Sequence, residues 1–235
     1  MKHIVIDVHD PGTHALWEAV AELAGRLPAD WVLVGGLMVQ LHALERGVRD
    51  IRVTADIDVL GQARPQGALE SIDAVLAADG FELTGPDPDG YAYRYTRGEL
   101  VVDVLAPDGI RPPATIGTLK AIGVPGGTQA LGRAETVTVS VGDHEFSLRR
   151  PSLLGAILIK ARSLMKHADP DSQREDLVRL LAMVEDPRAT AAELRGSERR
   201  WLRDAEARLA FDSASSLDQA TVRRARQAHR ILIAQ

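Results

Sequence analysis

Residues 31–60 read WVLVGGLMVQLHALERGVRDIRVTADIDVL, and the order of elements along them sets the expected fold. The apolar run 31–34 is expected to be a buried strand that meets Gly35 and Gly36, after which residues 37–45 continue as a helix. Glycine at a strand-to-helix junction lets phosphate approach the backbone, and the helix start adds free N–H groups and the positive end of its dipole. The chain returns as a second strand over 56–60, carrying Asp56-Ile57-Asp58. Side chains alternate along a strand, so these two acids point the same way about 6.6 Å apart and can converge on one hard cation. Burying such a pair is costly unless a cation or donors compensate it.

The same letters elsewhere carry less. Asp87/Asp89 and Asp169/Asp171 lie beside prolines in GPDPDG and HADPDS, and read as solvated turn residues. Asp103 differs, because it sits in LVVDVL, a strand too apolar to hold a charge without a reason. It is the candidate third acid, since a two-cation site needs a carboxylate flanking both ions. The seven histidines show no His-x-x-x-His spacing, which argues against zinc. The glycine pair is not followed by Gly-Lys-Ser/Thr, so a P-loop is a poor match, and Ser152 and Ser163 lack a nucleophile-elbow context.

Composition narrows the class. At 235 residues the chain can bury a substantial core, and 45% hydrophobic with 26% charged residues is the balance of a globular protein. Zero cysteines exclude disulfides and thiolate metal sites and fit a cytoplasmic enzyme; the apolar runs are too short to span a bilayer. A net charge of -5 argues against a protein whose whole surface grips nucleic acid. Arg195, Arg199, Arg200, Arg203 and Arg208 alternate with acids and read as a salt-bridged face, whereas Arg223, Arg224, Arg226 and Arg230 have no acid among them and are the candidate RNA contact.

Working outward, residues 13–27 read as a helix ended by Pro28, and 69–76 as another with Gly80 at its C′ position. Hairpins are expected for 91–95 with 100–105 and for 136–141 with 145–148, and a loop for 125–135. This is an α/β (α+β) region over 1–150. From 151 to 235 the period becomes helical, with apolar stripes over 153–164, 177–184 and 201–209 and a fourth helix opened by a Ser216/Gln219 capping box, so a C-terminal helical domain is expected.

With these motifs in place, the chain resembles the nucleotidyltransferase superfamily with the DNA polymerase β-like core. Gly35-Gly36 matches its glycine motif, Asp56-Ile57-Asp58 its acid pair and Asp103 its third acid. More closely, VLVGGLMVQLHALERG followed by Arg52-Val53-Thr54-Ala55-Asp56-Ile57-Asp58 resembles the AbiEii/AbiGii-type toxin nucleotidyltransferases, in which an apolar-helix lysine and an aspartate opening the next helix recur; Lys160 and Asp176 match them. Where that family reads Lys-Asp-x-Asp-Asp, this chain has Ser172-Gln173-Arg174-Glu175-Asp176.

The resemblance implies a nucleotidyltransferase-type mixed sheet with flanking helices, and transfer of a nucleoside monophosphate from NTP, with Mg2+, to RNA such as the tRNA 3′ end. It also implies a toxin–antitoxin or phage-defence setting with a cognate antitoxin. Asp56, Asp58 and Asp103 would hold the metal, Gly35, Gly36, Arg52 and Thr54 the nucleotide, and Lys160 with Asp176 would complete the catalytic set. Lys166 is the comparison for Lys160, a flank lysine expected to have no part in NTP use. Two other readings stay open: a small-molecule nucleotidyltransferase of the aminoglycoside-modifying kind, and a non-catalytic interaction protein on the same fold.

Overall fold

The computed structural model describes residues 2–8, 10–27, 31–48, 52–62, 68–166, 171–211, 214 and 216–234. The chain opens on strand β1 (His3–Ile6), with Ile4 and Ile6 buried, and turns into helix α1 (Pro11–Ala24). Asp10 caps that helix by accepting from the Thr13 N–H at 2.7 Å, and Leu16, Val20 and Leu23 form its buried stripe. Pro28, the expected stop, lies outside the described residues; the helix already ends at Ala24.

Strand β2 (Trp31–Leu33), helix α2 (Gly35–Leu44) and strand β3 (Ile57–Gly61) follow in the expected order. Two boundaries differ from expectation. The helix starts on the glycines themselves, and the strand starts at Ile57, leaving Asp56 on the approach to it. Helix α2 is apolar nearly all round because it is enclosed on two sides: Leu37 and Leu41 join the core around α1, while Met38 and Val39 join the core of the helical half.

Next come α3 (Ala68–Ala78), β4 (Glu82–Leu83), β5 (Tyr91–Ala92), β6 (Arg94–Arg97) and β7 (Leu100–Pro107). Gly80 at φ +78° closes α3, with Phe81 N–H donating to Leu76 O at 2.9 Å and Gly80 N–H to Ala77 O at 3.0 Å. The hairpin across Gly98 is present, but the expected strand 91–95 is split between two sheets. Short strands β8 (Thr115–Ile116), β9 (Leu119–Ala121) and β10 (Gly123–Val124) lead to helix α4 (Gly127–Gly132), where a loop was expected. Packing decides that segment, since Ala130 and Leu131 add to the helical core and stabilise a turn too short to stand alone. The hairpin of β11 (Ala134–Val141) and β12 (His144–Pro151) turns at Gly142-Asp143 as expected.

The central sheet has the order β2-β3-β7-β6-β4 with β10 beside β7; β1-β11-β12 and β5-β9-β8 form two smaller sheets. Among the described residues after Pro151 there is no strand. Helices α5 (Leu153–Leu164), α6 (Asp171–Ala182), α7 (Pro187–Ala192), α8 (Glu198–Leu209) and α9 (Gln219–Ile233) fill that half. Helix α7 was not expected, and α9 is capped by Asp218, which accepts from the Ala220 and Thr221 N–H groups, rather than by Ser216. A carboxylate is the stronger acceptor at a helix start. The protein is thus a mixed α+β fold, and no helix among the described residues is long and apolar enough to cross a membrane.

Alternation along β3 and β7 builds the site. Ile57, Val59, Val102 and Val104 point into the core with α1 and α3. Leu60 and Leu105 on the other face pack against the helical half, which leaves Asp58 and Asp103 facing a cavity between sheet and helices.

The far end of α2 is tied down by ions. Arg150 on β12 is fully buried and donates to Glu45 and, at 3.1 Å, to Glu135, while Lys2 reaches Glu45 at 2.7 Å. Beside them His42 meets the Pro151 carbonyl at 3.1 Å, and burial followed by the Arg150 charge holds its imidazole well below the usual histidine range. Replacing Arg150 by Met should leave two acids facing each other and lower stability by about 3 kcal/mol. Urea unfolding measures this; a loss under about 0.5 kcal/mol would show that the network does not anchor the helix.

Candidate active site

The parallel pairing of β3 and β7 sets Asp58 opposite Asp103, and the antiparallel pairing of β7 and β6 sets Arg94 opposite Asp103. Asp56, just before β3, swings into the same group, so that all three acids offer oxygens within 4.8 Å of one another. Thr54 Oγ1 donates to Asp56 Oδ1 at 2.9 Å. Arg94 donates from Nε to Asp103 Oδ1 at 2.9 Å and from Nη2 to Asp103 Oδ2 at 2.8 Å. That fork raises the pKa of Arg94 further still.

Asp58 is the anomaly. No donor among the described residues hydrogen-bonds its carboxylate. Burial first, and then the charge of Asp56, push it up to about 7, with Lys160 pulling in the opposite direction. An acid held this way, beside two others, is an oxygen-only donor set suited to a hard divalent cation.

The glycines serve this acid directly. Gly35 has φ +67°, and a Cβ there would lie 1.7 Å from Asp58 Oδ2. A Cβ on Gly36 would lie 2.7 Å from Thr54 Oγ1. Their first physical task is therefore to admit the side chains of Asp58 and Thr54 against the start of α2, whose N–H groups open into the same cavity.

The opposite wall comes from the helical half. Lys160, buried on α5, donates to Asp176 Oδ2 at 2.8 Å and to Gln173 Oε1 at 3.1 Å. Arg52 reaches the same carboxylate from the other side, at 3.3 Å and 3.4 Å. Its backbone is fixed in turn, since Gln40 donates to the Arg52 carbonyl at 3.0 Å and Trp17 Nε1 donates to Gln40 at 3.1 Å. Asp176 thus pairs two cations at the wall. It lies five residues into α6 rather than at its opening, because the helix already starts at Asp171. Arg174, which stands in the divergent stretch, turns away to the Arg208 carbonyl and Asp171.

Sheet and helices enclose a cavity of about 800 Å³. Gly35, Gly36, Arg52, Thr54, Asp56, Asp58, Asp103 and Lys160 all line it. Asp176 stands behind Lys160 and Arg52. Among the further lining residues that the sequence did not single out for the site are Tyr93, Arg94 and Lys166. Lys166, expected outside the site, is exposed in the turn just past α5 and faces the same space, because Ile159, Lys160 and Ser163 run that helix along the cavity wall. Arg94 was within reach of sequence reasoning. A two-residue turn at Gly98-Glu99 pairs Arg97 with Leu100, and counting back three residues on each strand pairs Arg94 with Asp103.

Other expectations resolve away from the cavity. Asp87 accepts from the Asp89 and Tyr91 N–H groups as a turn residue, Asp171 begins α6, and Asp169 lies outside the described residues. Arg199 and Arg203, expected in a salt-bridged face, instead donate to carbonyls at the end of α9. Arg223, Arg224, Arg226 and Arg230 all lie on α9, where Arg226 sits over the Phe211 ring at 5.5 Å and Arg224 donates to Thr221, and none of the four lines the acid-bearing cavity.

No protein-family model, curated protein or solved structure matches this chain.

Gly35→Ala should force Asp58 aside and strain a left-handed position, costing about 1–3 kcal/mol and removing divalent-cation binding. Gly132→Ala, with open space around it, is the control and should stay within about 0.5 kcal/mol. Urea unfolding and manganese titration of both variants test the assignment; cation binding retained by Gly35→Ala would contradict it.

Proposed function

We propose that this protein is a magnesium-dependent nucleotidyltransferase that moves a nucleoside monophosphate from NTP to a hydroxyl acceptor. The observation that carries the reading is the Asp58 carboxylate, half-buried, without a hydrogen-bond donor among the described residues, set among two further acids and facing a cavity rimmed by cations. Asp56, Asp58 and Asp103 would hold the ion. Magnesium bound there would neutralise charge on the triphosphate and polarise the phosphorus under attack.

The chain's own groups divide the remaining work. Gly35, Gly36 and the free N–H groups at the start of α2 receive phosphate oxygens. Lys160 and Arg52, already oriented by Asp176, face the triphosphate, and Lys166 extends the cationic wall. The acceptor oxygen forms a bond to the α-phosphorus, the bond from that phosphorus to the β-phosphate breaks with its electron pair leaving on pyrophosphate, and the acceptor proton passes to an Asp103 oxygen. Positioning and electrostatics supply the acceleration.

For the acceptor we propose RNA, such as the tRNA 3′ end, in a toxin–antitoxin or phage-defence setting with a cognate antitoxin, as the motif resemblance implies. The cavity's cations support a polyanionic acceptor over a polycationic drug, since Arg52, Arg94, Lys160 and Lys166 all line it. The proposed compartment is the cytoplasm.

Asp56→Asn and Asp58→Asn should each abolish transfer while keeping the fold, because each relieves like-charge repulsion. The assay is labelled NTP with total tRNA or an aminoglycoside panel, read for transferred label; wild-type turnover by either variant would sink the mechanism.

The Asp58 shift makes a separate prediction. Its folded-state pKa of about 7 lies above the ordinary 3.8, so the metal-free protein should lose stability as pH rises from about 4 to about 7. Magnesium competes with that proton, so its affinity should rise about tenfold per pH unit below 7 and level off above. Calorimetric titration between pH 5.5 and 8.5 checks both the slope and its plateau.

A further inference from the structure

Asp58, Asp103 and Arg94 are register partners on three adjacent strands, so one row across β3, β7 and β6 reads acid, acid, cation. Strand pairing fixes this row, not chance side-chain contact. Thr84 holds the backbone at Arg94, its N–H and hydroxyl both reaching the Arg94 carbonyl, at 2.9 Å and 3.0 Å. The guanidinium engages both oxygens of Asp103, at 2.9 Å and 2.8 Å, and lies 5.6 Å from the centre of the Tyr93 ring. Asp103 is buried, whereas the Arg94 side chain is 45% exposed and borders the cavity. The acid is therefore the more enclosed partner of the pair, and the cation is the one with room to move.

We propose that Arg94 is a positioning residue that occupies Asp103 as an internal cation and so separates the affinities of two divalent-cation positions. This rests on the reading of the three acids as a divalent-cation site. A cation held by Asp56 and Asp58 does not displace Arg94. One that draws on Asp103 must take an oxygen from a two-bond fork and lie beside a fixed positive charge. Arg94 thus keeps Asp103 oriented and neutralised until the site is loaded. Once released, its guanidinium remains in the cavity, placed to meet an anionic group of the substrate.

The test is manganese binding to the full-length protein without nucleotide, followed by calorimetry and by the electron paramagnetic resonance signal of free ion. Wild type should bind one ion tightly and a second more weakly. In Arg94→Gln the weaker event should tighten about ten- to a hundredfold while the tight one keeps its affinity. Arg94→Lys, which keeps the charge and loses the fork, should fall between the two and serves if Arg94→Gln does not fold. A weak event unchanged in the variant that folds, or both events shifting together, overturns the role of Arg94 alone. If wild type binds no manganese at all, the cation-site reading fails, and the role of Arg94 fails with it.

Discussion

The pairing of β3 with β7 is the constraint on which the site depends. These strands run parallel with Asp58 beside Asp103, so two carboxylates that lie far apart in the chain become neighbours on one face of the sheet. The opposite face of the same strands is Ile57, Val59, Val102 and Val104, all buried in the core with α1 and α3. A slip of one residue in either strand would send an aspartate into that core and a valine into the cavity. The apolar face therefore holds the acids in place, and the repulsion between them is sustained by burial on the other side of the sheet.

Charge compensation follows a clear division. Asp103 has Arg94 from its own sheet, and Asp56 has the Thr54 hydroxyl. Asp176 is shared by Lys160 from the helical half and Arg52 from the loop before β3. Asp58 alone takes no hydrogen bond from the described residues, and it is the acid pushed furthest from its ordinary range toward neutral pH. The uncompensated acid belongs to a group of three whose oxygens lie within 4.8 Å of one another, close enough to hold one divalent ion together. The cations around it are held by acids of their own, so the wall is preorganised before any ligand arrives.

Helix α2 links this chemistry to both cores. One side packs with α1, the other with the helical half, and its far end is anchored through Glu45 to the buried Arg150. Its near end carries the glycines against Asp58 and Thr54. The apolar periodicity of a lone amphipathic helix is absent here because there is no solvent face for it to mark.

The acid-hydrophobe-acid stretch, the glycine pair and the apolar setting of Asp103 were readable from the sequence because each is a local violation of what an ordinary strand or helix would carry. The alternation that puts Asp58 opposite Ile57 and the hairpins at Gly98 and Gly142 were readable for the same reason: they depend on neighbours in the chain. Strand β1 was not, since its pairing with β11 joins residues more than a hundred positions apart, and neither was α4, which packing rather than propensity makes helical. Lys166 entered the site only because α5 runs along the cavity, a fact of helix placement that no spacing encodes. Tertiary structure alone decided which cation answers which acid, because Arg52 and Lys160 meet at Asp176 only after the sheet and the helical half have packed together.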